Sequence, residues 1–237
     1  MQSVILLPGL ACDEGLWQAQ LPALAERHRV VVSDVHTRCD SIPAMAEALL
    51  AEHDGALVLV GSSMGGMVAM ACAQRAPHRV RGLALLGTSA RPDTPELLRL
   101  RSEAIVLFEQ GRMDEVLRAN VMFAFHPSNA ARPVLVQAYL DLVRRAGAAQ
   151  LIRQNRAVMA RADLRPGLPA ITCPTLVVCG RADQLTPPAC SEEIAAAIPG
   201  ARLAWLDDCG HLITMEQPQR CTEMLLQWLD ALPSSVP

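Results

Sequence analysis

The sequence predicts an α/β fold in which one parallel sheet is flanked by helices and interrupted once by an all-helical insertion. Three observations carry that expectation. Short apolar runs alternate with helical patterns over both ends of the chain, the signature of βαβ units. The alternation stops between Ser89 and Arg165, where only helical spacing repeats. A glycine-flanked serine stands where one apolar run passes straight into a helical pattern.

The strand-like runs are Val4–Leu7, Arg29–Ser33, Ala56–Val60, Val80–Leu86, Thr175–Cys179 and Arg202–Leu206. Amphipathic stretches lie between them at Ile42–Glu52, Met64–Arg75 and Ser191–Ile198, and a last one, Gln217–Leu232, should dock on the sheet. In the insertion, Thr94 followed by Pro95 reads as an N-cap and a proline at the first helical position. From there Leu97, Arg101, Ile105 and Phe108 fall on one face before Gly111 ends the helix. Met113, Val116, Leu117, Asn120 and Val121 form a second stripe. Leu135, Ala138, Tyr139 and Leu142 form a third, closed by Gly147, and Leu151, Ile152, Val158 and Met159 a fourth. The expected organisation is a core of residues 1–88 and 166–237 with a helical cap over 89–165.

Composition narrows the function classes. The chain has 237 residues, 51% hydrophobic and 19% charged, which describes a globular chain able to bury one sizeable core. A formal net charge of −3 supplies no field to gather nucleic acid or anionic lipid, so neither is expected as a partner. No apolar run approaches the roughly 20 residues of a membrane span. The three residues before Val4 hold no charged leader, so a cytoplasmic location is expected. The eight cysteines contain no C-x-x-C pair, which gives a zinc site no support and points to reduced, buried thiols. Cys209, two residues before a histidine, is expected to be the most reactive of them.

The segment Gly61-Ser62-Ser63-Met64-Gly65 holds the pattern G-x-S-x-G between a strand and a helix. At so sharp a turn the central residue takes a strained backbone conformation, and side chains two positions either side would collide. The turn lifts the Ser63 hydroxyl above the sheet and places it at the N-terminus of the next helix, where unpaired N–H groups favour negative charge.

Gly61-Ser62-Ser63-Met64-Gly65-Gly66 resembles the nucleophile elbow of the α/β-hydrolase superfamily, closest to its helical-capped serine esterases and their C–C hydrolase and perhydrolase relatives. The run from Pro174 to Asp183, with Pro187 after it, is similar to that family's strand ending in the catalytic acid. Asp208-Cys209-Gly210-His211, with Glu216 and Pro218 following, is similar to the loop carrying its histidine. The resemblance spans nearly the whole chain outside the cap, in the order Ser, Asp, His that this fold uses. It implies a catalytic triad of Ser63, Asp183 and His211 that needs no cofactor and no metal.

Chemistry asks for the same partners. A serine hydroxyl is a poor nucleophile until a base takes its proton, and a histidine can do so near neutral pH. His28, His53 and His78 fall at helix ends, His36 follows a strand and His126 lies between cap helices. His211 alone sits on a short loop after a strand. Asp183 is expected to orient it, with Asp93 as the alternative because some members of the fold carry the acid one strand earlier.

The oxyanion donors should be the backbone N–H groups of Met64 and Leu10. Here the chain has Pro8-Gly9 where the family usually has His-Gly, which alters the loop without removing a backbone donor. The family usually has two further strands before Val4–Leu7. Without them the sheet should hold six parallel strands in order 2-1-3-4-5-6, with Arg29–Ser33 at an edge that leaves homodimerisation open. Leu185, Phe108, Met122, Phe123 and Phe125 are expected to line the pocket, and no basic cluster suggests an anionic substrate. The leading reading is a carboxylesterase for small to medium apolar esters. Lactone, thioester or C–C bond hydrolysis would use the same triad, and a non-catalytic small-molecule receptor is the reading from another class.

Overall fold

In the computed structural model, which describes residues 3–233, six parallel strands form one sheet in the order β2-β1-β3-β4-β5-β6. The strands are β1 (Ser3–Leu7), β2 (Arg29–Val32), β3 (Leu57–Ser62), β4 (Val80–Leu86), β5 (Thr175–Gly180) and β6 (Arg202–Leu206). Successive residues of a strand face opposite sides. Leu6, Val58, Val60, Leu86 and Val178 therefore enter one core, and Ile5, Leu7, Leu59, Leu85 and Val177 the other. Both faces are covered, which is why these strands read as continuous apolar runs.

The helices follow in chain order. First come α1 (Leu21–Ala25), α2 (Val35–Arg38), α3 (Ile42–Glu52) and α4 (Met64–Arg75). Between β4 and β5 lie α5 (Pro95–Glu109), α6 (Met113–Ala124), α7 (Pro127–Ala130) and α8 (Pro133–Met159). The last are α9 (Pro188–Ala197), α10 (Ile213–Glu216) and α11 (Pro218–Asp230). Met45, Leu49, Val68, Cys72 and Ile194 of α3, α4 and α9 pack on one face of the sheet. Leu24 of α1, with Leu225, Trp228 and Leu229 of α11, packs on the other, together with the inner side of the α5–α8 block.

The strand order and the block of helices match the sequence pattern, with differences in detail. β3 runs on to Ser62 because its pairing with β4 continues in register through Ser62 and Leu86. The short helices α1, α2, α7 and α10 were not expected. The third and fourth cap stripes belong to one helical path broken at Gly147, whose φ of 75° and ψ of 167° no helix can contain. Thr94 does cap α5, its Oγ1 accepting from Leu97 N at 3.3 Å, with Pro95 behind it. Among the described residues no helix is long and apolar enough to cross a membrane, and no group of three His, Cys, Asp or Glu could hold a metal ion.

All eight cysteines are free thiols, and only Cys39 and Cys173 are more than slightly exposed. Cys209 overturns the expectation of high reactivity. It is fully buried, and burial first, then the charge of Glu216, pushes its thiol far above the ordinary range, so little thiolate exists to react. Titration with a thiol reagent is therefore expected to find about two fast-reacting groups in the native protein and eight after denaturation without reductant. Four or fewer after denaturation would contradict the free-thiol arrangement.

Candidate active site

Three strand ends converge on one cavity. β3 delivers Ser63, the loop after β5 delivers Asp183, and the loop after β6 delivers His211. Ser63 has φ 51° and ψ −116°, a left-handed conformation costing a non-glycine residue about 1–3 kcal/mol. The surroundings over-determine it. A Cβ at Gly65 would lie 2.0 Å from Leu7 O, and one at Gly61 would lie 2.4 Å from Gly65 O, so helix α4 approaches β1 only because both positions lack a side chain. Ser63 N donates to Leu86 O at 2.9 Å, and Thr88 Oγ1 donates to Ser63 O at 2.6 Å. The elbow is thus held from β4 on one side and wedged against β1 on the other.

His211 is buried, and its Nδ1 lies 2.9 Å from Asp183 Oδ2 and 3.1 Å from Oδ1. Asp183 accepts two backbone N–H groups as well, from Leu185 and Thr186, each at 2.9 Å, and the Thr186 hydroxyl at 2.8 Å. Burial alone would raise the Asp183 carboxyl, but the His211 charge and these hydrogen bonds outweigh it and hold it below its ordinary value. Burial likewise works against a charged His211. Asp183 opposes that by charge and hydrogen bond, Glu216 adds to it, and the imidazole ends above its ordinary value. Ser63 and His211 line the same cavity, and among the described residues no hydrogen bond joins the Ser63 hydroxyl to the imidazole.

Asp93, the alternative acid, is committed elsewhere. Its Oδ2 accepts from Arg101 Nε at 2.7 Å and its Oδ1 lies 2.8 Å from Arg161 Nη2, with 2% of its side chain exposed. Asp207 and Asp208 are exposed.

The loop after β1 carries Leu10, with a left-handed Ala11 at φ 56°. It is tied by a residue that sequence reading missed. The fully buried Gln154 of α8 accepts from Ala11 N at 2.6 Å and donates to His36 O at 2.9 Å, while His36 Nε2 bonds Cys12 O at 2.8 Å. Gln154 lies 143 positions from Ala11, so no local pattern could have revealed it. Leu10 N and Met64 N have no acceptor among the described residues. Both residues line the cavity.

A second unforeseen residue is Glu216, seen in the sequence only as following the histidine. Buried, it accepts from Gly210 N and Leu212 N at 2.9 and 3.1 Å through one oxygen. The other oxygen accepts from His126 N and Asn129 Nδ2 at 2.8 and 2.9 Å. His211 N also donates to Ala124 O at 2.9 Å. The histidine loop is therefore sewn to the α6–α7 junction.

The cavity measures about 560 Å³, within the range of small-molecule sites. Leu185, Phe108 and Phe123 line it. Met122 does not, because one step along α6 turns a side chain by about 100° and leaves it in solvent, 64% exposed. Phe125 does not either. It lies just beyond α6, fully buried, edge-on to Tyr139 with ring centroids 5.5 Å apart. One cation, Arg101, also lines the cavity.

Comparison with known proteins decides the family. A family model described as the α/β hydrolase fold matches residues 2–218. The chain is a member of the α/β-hydrolase family. This hydrolase is similar to the pimeloyl-[acyl-carrier protein] methyl ester esterase of Aromatoleum aromaticum, 30% identical over 94% of this chain and 96% of that protein. A malate-bound thermophilic esterase from Thermogutta terrifontis has a TM-score of 0.90 at 31% identity, covering 97% of this chain and 90% of its own. The enol-lactonase from Burkholderia xenovorans LB400 has a TM-score of 0.88 at 28% identity, with 97% and 91% covered.

Glu216→Ala in this hydrolase would leave the N–H groups of Gly210, Leu212 and His126 without an acceptor and remove one of the two acceptors of Asn129 Nδ2, a loss of about 3 kcal/mol or more. Thermal unfolding followed by circular dichroism should show Tm lower by roughly 6–12 °C. A Tm within about 2 °C of the wild type would deny Glu216 this role.

Proposed function

We propose that this hydrolase cleaves carboxylic esters through an acyl-enzyme formed at Ser63. The observation that carries the reading is the strained Ser63 at the N-terminus of α4, sharing a cavity with an imidazole whose Nδ1 is held by Asp183. His211 takes the Ser63 proton through Nε2 as Oγ attacks the carbonyl carbon. The tetrahedral oxyanion accepts from Met64 N and Leu10 N, which are free to donate. The intermediate then collapses, and the alcohol departs with the proton from His211. Water, deprotonated by the same imidazole, attacks the acyl-enzyme and regenerates Ser63. Asp183 keeps Nδ1 protonated and stabilises the imidazolium throughout. The missing Ser63–His211 hydrogen bond is no obstacle, because such contacts commonly tighten only when substrate is bound.

The esterase relatives support an ester substrate, and the likeness to an enol-lactonase supports lactones as a second substrate type. In a lactone the leaving alcohol stays attached to the acyl group, and each step is otherwise unchanged. The apolar share of the wall, with Leu10, Met64, Phe108 and Phe123, suits the aliphatic part of a small acyl or alcohol group.

Ser63→Ala should abolish labelling by a fluorophosphonate probe and lower ester turnover by about 10⁴-fold or more, leaving what the oxyanion donors supply. Turnover retained by purified Ser63→Ala protein would end the proposal. Since the base must be neutral and His211 is held above its ordinary value, kcat/KM should rise with pH through a midpoint above about 6.5. A flat profile from pH 5 to 8, or a midpoint well below 6, would remove His211 from the role of base.

A further inference from the structure

Helix α5 turns Leu97, Arg101, Ala104 and Phe108 toward the cavity, so a guanidinium stands within an otherwise apolar stripe. Holding a charge there is costly unless something compensates it, and the protein compensates only half of what it places there. Asp93 is shared between two arginines. Arg161, 4% exposed, also donates to the carbonyls of Arg91 and Val158, so each of its three nitrogens has an acceptor. Arg101 donates from Nε to Asp93 and from Nη1 to Asn155 Oδ1 at 2.8 Å, while its Nη2 has no acceptor among the described residues. Its side chain is 28% exposed. Two guanidinium groups against one carboxylate leave a surplus of one positive charge, and among the described residues lining the cavity no aspartate or glutamate answers it. Asp93 and Asn155 fix the guanidinium rather than leaving it free to swing into solvent.

We infer that Arg101 is a specificity-determining residue that binds a free carboxylate carried by the substrate, so that the preferred esters are monoanions. The inference rests on the ester reading and deepens it. A single surplus charge matches a carboxylate. A phosphate monoester, dianionic at neutral pH, would leave one negative charge buried without a partner. Nη2 can donate to a carboxylate oxygen, a charge-assisted bond of the kind that arginine makes best. Arg101 is also near enough to the reacting centre for its charge to bear on His211. A carboxylate anchored there would sit in the same small cavity as the scissile carbonyl.

The test pairs each charged ester with a neutral one of similar length. Monomethyl glutarate is set against methyl valerate for the acyl side, and 4-acetoxybutyrate against butyl acetate for the alcohol side. In the wild type at least one charged ester should exceed its partner in kcat/KM by about tenfold or more. Arg101→Met should reduce that ratio at least tenfold, and Arg101→Lys should restore most of it. A wild-type ratio of one or less for both pairs, or a ratio unchanged in Arg101→Met, would overturn the inference. Calorimetry on Ser63→Ala separates this result from the fate of the serine mechanism. That variant should bind the preferred charged ester at least about tenfold tighter than the neutral one, and should lose the difference when Arg101→Met is added. Equal binding of the two esters would overturn the carboxylate site whether or not Ser63 is the nucleophile.

Discussion

The close approach of helix α4 to strand β1 is the constraint on which the rest of the site depends. Gly65 lies so near Leu7 O that a methyl group could not be inserted, and Gly61 meets the backbone of the same helix turn. That contact draws the N-terminus of α4 down onto the end of the sheet and compels Ser63 into its left-handed conformation. It also sets the free N–H of Met64 beside the loop that carries Leu10. The strain at one residue is local, while the packing that maintains it is spread over β1, β3 and β4, so unfolding of the elbow would have to disrupt the centre of the sheet.

Around this fixed point the two remaining groups are delivered by loops, and loops need ties. Asp183 is tied by its own turn, since Leu185 N and Thr186 N both point into its carboxylate. His211 is tied by distant chain, through Glu216 to the α6–α7 junction and through its own N–H to Ala124. The helical block therefore does more than roof the cavity. It supplies part of the scaffold that holds the imidazole of His211 in the cavity, and so displacement of α6 would disturb that side chain as well as the wall.

The features legible in the sequence are those written in short periods. Strand alternation, the N-cap at Thr94, the breaks at Gly111 and Gly147 and the G-x-S-x-G turn all depend on neighbours within a few residues, so each leaves a local signature. Gln154, the reach of Glu216 to His126 and Asn129, and the pairing of Arg161 with Asp93 act across separations that no window contains, and only the fold brings them together. Arg101 was visible as an arginine within an apolar stripe, but the pattern could not say whether it met solvent, a carboxylate or a cavity. Asp93 shows the same limit, because an acid after a strand reads alike whether it meets a histidine or two arginines. Met122 and Phe125 were expected in the pocket by residue type alone. A helix shows only about one residue in three to any one side, and Phe125 lies beyond the helix end.

The break at Gly147 divides α8 into two mechanically separate pieces. The piece before it sends Tyr139 and Val143 to the cavity wall, while the piece after it sends Leu151, Asn155 and Val158 to the same wall and Gln154 to the loop beside Ser63. An unbroken helix would transmit any shift of its wall residues straight into that loop. With the joint in place, the wall before Gly147 can be remoulded while the loop keeps its register, whereas Leu151, Asn155 and Val158 share their helical piece with Gln154. A substitution before the joint therefore reshapes the cavity alone, while one after it also reaches the loop that carries Leu10.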